Sequence, residues 1–296
     1  MLVSVVTPVY NRAYVIAELY HSLKAQTNDD FEWILVDDGS TDALEDVVRD
    51  FTDISLTLIK QKNSGKHIAV NRGVNAAKGK YVFIVDSDDT LTPDAIETIY
   101  EYDQKYANEL DSRRIAGFSF LRSFKDGQIN GKRPDCEHIS DYIEERINKN
   151  DGLGDKAEVF LRDVLIQYPF PSFGNEKFLM ESYIWIKMSD RYQMVYTNKC
   201  VYIGNYLNDG LTQNILETKA RNPIGVYETF NLYIDRRFTC YNRLKGCIYY
   251  YCYSKLAGRT WKEMMEGCNS KKYFRLNIVP SMVYYAFCFK KRRRKS

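Results

Sequence analysis

Tyr81-Val82-Phe83-Ile84-Val85-Asp86-Ser87-Asp88-Asp89-Thr90-Leu91-Thr92-Pro93 decides how the rest of the chain is read. Its first five residues, β-branched and aromatic without a polar break, suit a strand buried on both faces. Three carboxylates follow within four positions. Thr92-Pro93-Asp94 then carries a helix-start signature, with Thr92 as N-cap and proline at the first helical position, which predicts a helix over 93–106. Acids between such a strand and such a helix lie at the carboxyl edge of an open α/β sheet, where these sheets bind ligands. Asp86 and Asp88 set two hard oxygen donors around Ser87, a spacing suited to Mg²⁺ or Mn²⁺ shared with phosphates. Taken alone, the motif is equally an acidic strand-to-helix loop.

Working outward, the preceding residues alternate between strand and helix patterns. Strands are expected at 2–7, broken by Pro8, at 31–37 and at 54–60. Helices are expected at 13–26, where Val15, Ile16, Leu19 and Leu23 share one face, and at 43–51 and 65–77. Acids or glycines follow several strands. This order predicts an α/β fold, a mostly parallel central sheet flanked by helices with a site along its carboxyl edge. After residue 110 the alternation weakens. A strand is expected at 115–124 with a turn at Lys125-Asp126-Gly127, then a polar loop with a helical piece over 127–155. Helices at 159–166 and 178–191 and a strand at 195–203 follow. From Pro223 the chain reads as helical, aromatic and basic. The expected organisation is a domain over 1–225, with halves 1–110 and 111–225, and a helical appendage over 226–296.

Composition supports a globular protein with a large core: 296 residues, 45% hydrophobic and 27% charged. The net charge of +3 conceals an asymmetry, because residues 226–296 carry 16 Lys/Arg against 4 Asp/Glu, leaving residues 1–225 at net −9. A basic end on an acidic body points to an anionic surface as partner. The seven cysteines form no Cys-x-x-Cys pair and only three histidines accompany them, so neither a disulfide framework nor a zinc site is indicated. Reduced thiols in a cytosolic compartment are expected. Leu2-Val3-Ser4-Val5-Val6 lacks the basic flank of a signal peptide, and no apolar run reaches the length of a membrane span.

Four stretches in order carry a resemblance: Val3-Ser4-Val5-Val6-Thr7-Pro8-Val9-Tyr10-Asn11, Ile34-Leu35-Val36-Asp37-Asp38-Gly39-Ser40-Thr41-Asp42, Asn63-Ser64-Gly65-Lys66 through Asn71-Arg72-Gly73, and Val85-Asp86-Ser87-Asp88-Asp89. Over about the first hundred residues the sequence resembles the inverting, nucleotide-sugar-dependent glycosyltransferases of family 2, which have the GT-A fold. That resemblance implies a donor site in which Pro8, Val9, Tyr10 and Asn11 contact the nucleotide base. The Tyr10 ring could stack on the base, a contact worth ~1–3 kcal/mol in nucleic-acid systems; a tyrosine packed under its loop is the alternative. The resemblance assigns Asp38 to the imide N–H of uracil or thymine and makes UDP the default donor nucleotide. Asp37 then ties down its loop, and Asp42 caps the following helix. Gly65-Lys66 opens a helix whose free amides and positive dipole end suit a diphosphate, with Lys66 either on the phosphates or solvated. Ser87 joins the donor-binding set. Asp86 and Asp88 become the metal ligands, Asp89 an additional possibility, and the cofactor Mg²⁺ or Mn²⁺.

An inverting transfer needs a carboxylate to take the proton of the acceptor hydroxyl. The resemblance places it about ninety to a hundred residues after the metal motif. Met180-Glu181-Ser182-Tyr183-Ile184-Trp185 lies at that distance, with serine where the family commonly has aspartate, so Glu181 is the expected base and Glu176 the rival. Tyr206-Leu207-Asn208-Asp209-Gly210-Leu211-Thr212 is either a closing loop over the donor or a surface turn. Residues 226–296 hold ten tyrosines, and twelve largely apolar residues at 278–289 precede six basic ones at 290–295. Such a segment is too short to span a bilayer. It suits the interface instead, with basic residues attracting anionic lipid at ~1 kcal/mol each. A helix packed on the domain and a nucleic-acid arm are the other readings, the last opposed by the acidic body. The expected protein is a cytoplasmic enzyme, peripheral on the inner membrane face. It would transfer a sugar from a nucleotide-diphosphate sugar to a glycan or lipid-linked saccharide for cell-surface polysaccharide. A non-catalytic nucleotide-sugar-binding or scaffolding relative is the alternative.

Overall fold

The structure, a computed structural model, describes residues 1–149, 154–204 and 214–289. Its strands are β1 (Val3–Val9), β2 (Phe31–Asp37), β3 (Leu56–Lys60), β4 (Tyr81–Ile84), β5 (Thr90–Leu91), β6 (Ile115–Phe124), β7 (His138–Ser140), β8 (Lys156–Leu161) and β9 (Gln193–Gly204). They form one sheet in the order β3-β2-β1-β4-β8-β6-β9-β5, with β7 paired to β9. From β3 to β4 every pairing is parallel. β8 then runs antiparallel between β4 and β6, while β6 and β9 are parallel. The sheet is therefore mixed, with its parallel half supplied by the first ninety residues.

Side-chain alternation along the strands builds a core on each face. Val3, Val5, Trp33, Leu35 and Phe83 meet helices α1 (Ile16–Lys24), α2 (Leu44–Arg49) and α4 (Ala95–Tyr106) through Leu19, Leu23, Leu44, Val48, Ile96 and Ile99. On the other face Val6, Ile34, Val36, Val82 and Phe160 meet α3 (Lys66–Ala76), α5 (Arg162–Leu165) and α6 (Ser182–Met188) through Ala69, Val70, Val74, Val164, Ile184 and Trp185. Burying each large aliphatic or aromatic side chain contributes roughly 1.5–3 kcal/mol.

The remaining helices are α7 (Ile215–Arg221), α8 (Pro223–Leu232), α9 (Cys240–Leu256), α10 (Trp261–Gly267), α11 (Lys271–Leu276) and α12 (Ile278–Tyr284). Val226, Phe230, Ile234, Tyr250, Met264 and Phe274 form a third cluster there. Ile143 and Ile147 of a short π-helical segment and Ile186 of α6 belong to it too, so the C-terminal helices share their core with the sheet region. α12 lies against α9, with Tyr284 at 5.8 Å from Tyr249 ring to ring. Val279 (66%), Met282 and Val283 of α12 are apolar and exposed, as are Leu276 (73%) just before the helix and Phe287 just after it. Among the described residues no helix is long and apolar enough to cross a membrane. The basic run 290–295 and the turn 206–212 lie outside the described residues.

Several local expectations are corrected. β1 runs through Pro8 to Val9. The Val6 carbonyl accepts from Val85 N on the β4 side and the Val9 carbonyl from Asp38 N on the β2 side. Pro8, two residues after Val6, thus faces the β4 side, where pairing has ended at Ile84, and its missing N–H costs no ladder bond. The helix expected over 159–166 is divided: Arg162–Leu165 are helical as α5, while 159–161 end strand β8, because an apolar run short enough for either element is claimed by the gap between β4 and β6. Helix 178–191 shrinks to α6, 13–26 to α1 and 43–51 to α2. Thr92 does not cap α4; its hydroxyl donates to Asp94 Oδ1 at 2.6 Å and Asp94 takes the N-cap position. Asp42 does not cap α2 either, since its Oδ2 accepts from Ala13 N at 2.9 Å.

Candidate active site

The carboxyl ends of β1, β2 and β4 lie side by side, as parallel pairing requires, and the loops leaving them build the site. After β1 the chain turns at Asn11, whose φ of 52° is a left-handed value that asparagine tolerates. Asn11 locks the turn to the next loop, donating from its N to Ser40 Oγ at 3.0 Å and accepting at Oδ1 from Thr41 N at 2.7 Å. Tyr10 stands at this edge, 47% exposed, while Pro8 and Val9 are buried within the strand.

Both acids that end β2 are occupied by the backbone around them. Asp37 Oδ1 accepts from Ser40 N at 2.7 Å. Asp38, 4% exposed, accepts from Gln61 Nε2 at 2.8 Å, Ser64 N at 2.7 Å and Gly65 N at 2.8 Å. A carboxylate offers about four acceptor positions, so three protein donors leave about one for a ligand. Asp38 thereby fixes the loop that delivers α3. Gly65 needs to be glycine: its φ is 96°, and a Cβ there would lie 2.1 Å from the Lys177 carbonyl oxygen.

That close approach brings Lys66, the first residue of α3, to the centre of the site. Its Nζ lies 2.6 Å from Asp86 Oδ1 and 2.9 Å from Glu181 Oε1. Burial opposes the ammonium charge, yet Asp86 and Glu181 outweigh it and the lysine pKa rises. For Asp86, burial pushes the carboxyl up and Lys66 more than reverses it, holding it below the ordinary value. Asp88 is raised, first by burial and then by the charge of Asp86. Ser87 between them is 7% exposed. Glu181 sits at the N-cap of α6 with no side-chain capping bond.

Two expected alternatives have other duties. Asp89 is 4% exposed and its Oδ2 receives Arg122 Nη2 at 2.8 Å and Tyr202 Oη at 2.7 Å, which binds its loop to β6 and β9. Glu176 accepts from Ile224 N at 2.7 Å and Gly225 N at 2.8 Å, so it satisfies the open amides at the start of α8. Asn71 of α3 hydrogen-bonds both backbone groups of Phe170, tying the helix to the loop before α6.

A polar cavity opens beside Lys66. It is lined also by Asp86, Glu181, Arg122, Lys156, Glu158, Phe160, Trp185 and Tyr202. Sequence reasoning missed Arg122, Lys156, Glu158 and Tyr202. The spacing Lys156-x-Glu158-x-Phe160 is the signal that would have found three of the lining residues, because i, i+2 and i+4 share a face of a strand; reading 159–166 as helix hid it. Burial raises the Glu158 carboxyl to about 7, Arg146 and Arg122 pulling it down and Glu181 and Asp155 pushing it up.

For a divalent cation, what bears on fit is the donor set, two hard oxygen acids two residues apart, Asp88 being raised by burial and then by the charge of Asp86. Among the described residues no set of three or more His, Cys, Asp or Glu surrounds one point. Two carboxylates without a cage match Mg²⁺ or Mn²⁺ held jointly with substrate phosphates and water, and do not match a dedicated protein cage.

Residues 4–161 match the family model for glycosyl transferase family 2. The glycosyltransferase GlyG of Streptococcus pneumoniae serotype 4 is 40% identical over 131 residues, 43% of this chain and 42% of that protein. The putative teichuronic acid biosynthesis glycosyltransferase TuaG of Bacillus subtilis is 36% identical over 104 residues, 34% of this chain and 41% of its own length. The matched stretch thus spans less than half of these relatives. Among solved structures, S. aureus TarS 1-349 in complex with UDP superposes with a TM-score of 0.58 at 16% identity, covering 100% of this chain and 92% of that one. The mannosyltransferase PcManGT of Pyrobaculum calidifontis, in complex with GDP-Man and Mn²⁺, gives 0.55 at 17% identity over 96% and 87%. At such identities the likeness concerns the fold, which is the GT-A arrangement. The family match runs from β1 through β8 and so takes in every acid-bearing strand end described above: the chain belongs to glycosyltransferase family 2.

Proposed function

We propose that this protein transfers a sugar, with inversion, from a nucleoside-diphosphate sugar to a hydroxyl of a cell-surface glycan or lipid-linked saccharide. The observation that carries the reading is Lys66 bridging Asp86 and Glu181, since it brings the metal-motif acid and the expected base to one ammonium group. Inversion requires leaving group and nucleophile on opposite faces of the anomeric carbon, and this reading puts that carbon near these two acids in the polar cavity they line.

In this reading Tyr10 stacks on the base, Asp38 accepts the imide N–H with its remaining position, and UDP is the first donor to test. Lys66 leaves its bridge for the diphosphate, freeing Glu181. Glu181 then takes the acceptor hydroxyl proton as the oxygen bonds to the anomeric carbon and the bond to the β-phosphate breaks. A divalent ion held by Asp86 and Asp88, when bound, supplies positive charge to the departing diphosphate. Proteins of similar sequence or fold include a putative teichuronic acid biosynthesis glycosyltransferase and structures with UDP, UDP-GlcNAc or GDP-Man with Mn²⁺, which supports donor class and setting.

The exposed apolar side of α12, continued by six basic residues at 290–295, favours docking on the anionic inner face of the cell membrane. Flotation with vesicles containing phosphatidylglycerol should recover the protein, and truncation after residue 275 or high salt should release it. Recovery that ignores both removes the membrane from the proposal.

The donor reading is tested by thermal shift with UDP-, dTDP- and GDP-sugars, with and without Mn²⁺, on wild type and Asp88→Ala. A ligand confined to the folded state raises stability by RT ln(1 + [L]/Kd). A metal-dependent shift for one nucleotide, lost in Asp88→Ala, supports the site. Nucleotide binding without turnover, unchanged by Glu181→Gln, would turn the reading to a non-catalytic relative.

A further inference from the structure

The cavity beside Lys66 contains more than the transfer reaction needs at its reacting atoms. β8 enters the sheet antiparallel and turns Lys156, Glu158 and Phe160 to one face, under α6 and next to the Asp86 end of β4. If the anomeric carbon lies near Asp86 and Glu181, the rest of the sugar ring faces this wall.

Most of the wall is already committed. Arg122 donates to Asp89 and lies over the Tyr202 ring at 4.2 Å. Tyr202 Oη donates to Asp89 and accepts from Asp86 N at 3.0 Å. Phe160 and Trp185 stack on each other with centroids 4.3 Å apart. Lys156 Nζ donates to the Lys132 carbonyl at 3.3 Å. For Glu158, among the described residues, no hydrogen bond or ion pair engages the carboxylate. Arg122 Nε, in the same wall, is buried without a hydrogen-bond partner. A half-buried carboxyl facing a polar cavity, in one wall with an unsatisfied buried donor, is costly unless a ligand completes it.

We infer that Glu158 is a specificity-determining residue that reads hydroxyl groups of the transferred sugar, an assignment that rests on the glycosyl-transfer reading above. A carboxyl group accepts from vicinal sugar hydroxyls when ionised and can also donate when protonated. Its raised pKa, near 7, fits a group waiting for hydrogen-bond partners in a desolvated wall. The ligand class is the hexose or N-acetylhexosamine moiety of the donor, whose nucleotide lies towards Tyr10 and Asp38.

The experiment separates nucleotide from sugar. Titration calorimetry with Mn²⁺ present measures UDP, dTDP and GDP, then their glucose, galactose, N-acetylglucosamine and mannose conjugates as each exists. In the wild type one conjugate should bind more tightly than its bare nucleotide. Glu158→Ala should leave the bare nucleotide affinity within about twofold and weaken that conjugate about tenfold or more, since a site built to bond a hydroxyl discriminates strongly. Glu158→Gln, close to isosteric, keeps the test valid if the alanine variant folds poorly, and should show a smaller loss of the same kind. Deoxy analogues of the preferred sugar should be discriminated by wild type and not by Glu158→Ala. Equal weakening of nucleotide and conjugate, or no change in either, overturns the assignment. Failure of the wild type to bind any nucleotide overturns the transfer reading itself, and this assignment with it.

Discussion

β2 and β4 both lead into acids at the carboxyl edge of the parallel half-sheet, Asp37 and Asp38 after one and Asp86, Asp88 and Asp89 after the other, yet the two ends do opposite work. Asp37 and Asp38 are surrounded by backbone and side-chain N–H donors at 2.7–2.8 Å. Asp86 meets a lysine ammonium, and Asp88 is held above its ordinary pKa by burial and then by the charge of Asp86. A carboxylate satisfied by amides stabilises a loop. One whose main neighbour is another carboxylate is destabilising unless a cation arrives. Adjacent acids therefore divide into scaffold and site according to what donates to them, and mutation can break or sharpen that division.

The largest effect should come from the β4 end. Asp88→Asn should cut sugar transfer by about 10³-fold, the scale of losing a transition-state electrostatic group, with the melting temperature unchanged or higher because a like charge is removed. Glu181→Gln should lower kcat by about 10²–10⁴-fold with donor affinity retained, as removal of a general base does. A large fall in stability in either variant would mean that this end is scaffold as well. The β2 end predicts the reverse: Asp38→Ala should destabilise the fold by about 3–5 kcal/mol through three lost bonds to a charged acceptor, measured by urea unfolding. A stability change below about 1 kcal/mol there would dissolve the contrast.

Glu158 sharpens it from a third strand. Its pKa is about 7 in the fold against an ordinary value of 4.5, so the folded state holds a proton that the unfolded chain has released. Stability should then fall as pH rises from about 4.5 to about 7, by at most about 3 kcal/mol, and Glu158→Gln should flatten that fall. The smallest effect is at Glu176. Glu176→Ala opens two amides of α8 and should cost about 1 kcal/mol with kcat unchanged; a large loss of transfer would keep it as a catalytic candidate.

Much of this was legible in order along the chain. The parallel half-sheet, its helices and the acids at its edge follow from a short-range code: hydrophobic alternation, Gly and Pro punctuation, and carboxylates at strand ends. β6 appears where expected, over 115–124. What failed were elements whose identity depends on a distant partner. Residues 159–161 are apolar enough for helix or strand, and only the vacancy between β4 and β6 decides. Pro8 looked like a strand breaker because its unneeded N–H depends on where β4 stops. Glu176 and Glu181 are five residues apart and equally acidic. The start of α8, nearly fifty residues later, claims one, and Lys66, more than a hundred residues earlier, meets the other.

Local sequence by itself determined the elements of the donor half and the residue types at its edge, because strand periodicity, helix starts and loop acids are set within a few positions of each other. Tertiary structure alone decided which acids are saturated, which face a cation, and that Glu158 lines the cavity. Those outcomes depend on hydrogen-bond donors and charges brought together across long stretches of chain, and a carboxylate carries no local mark of what will approach it.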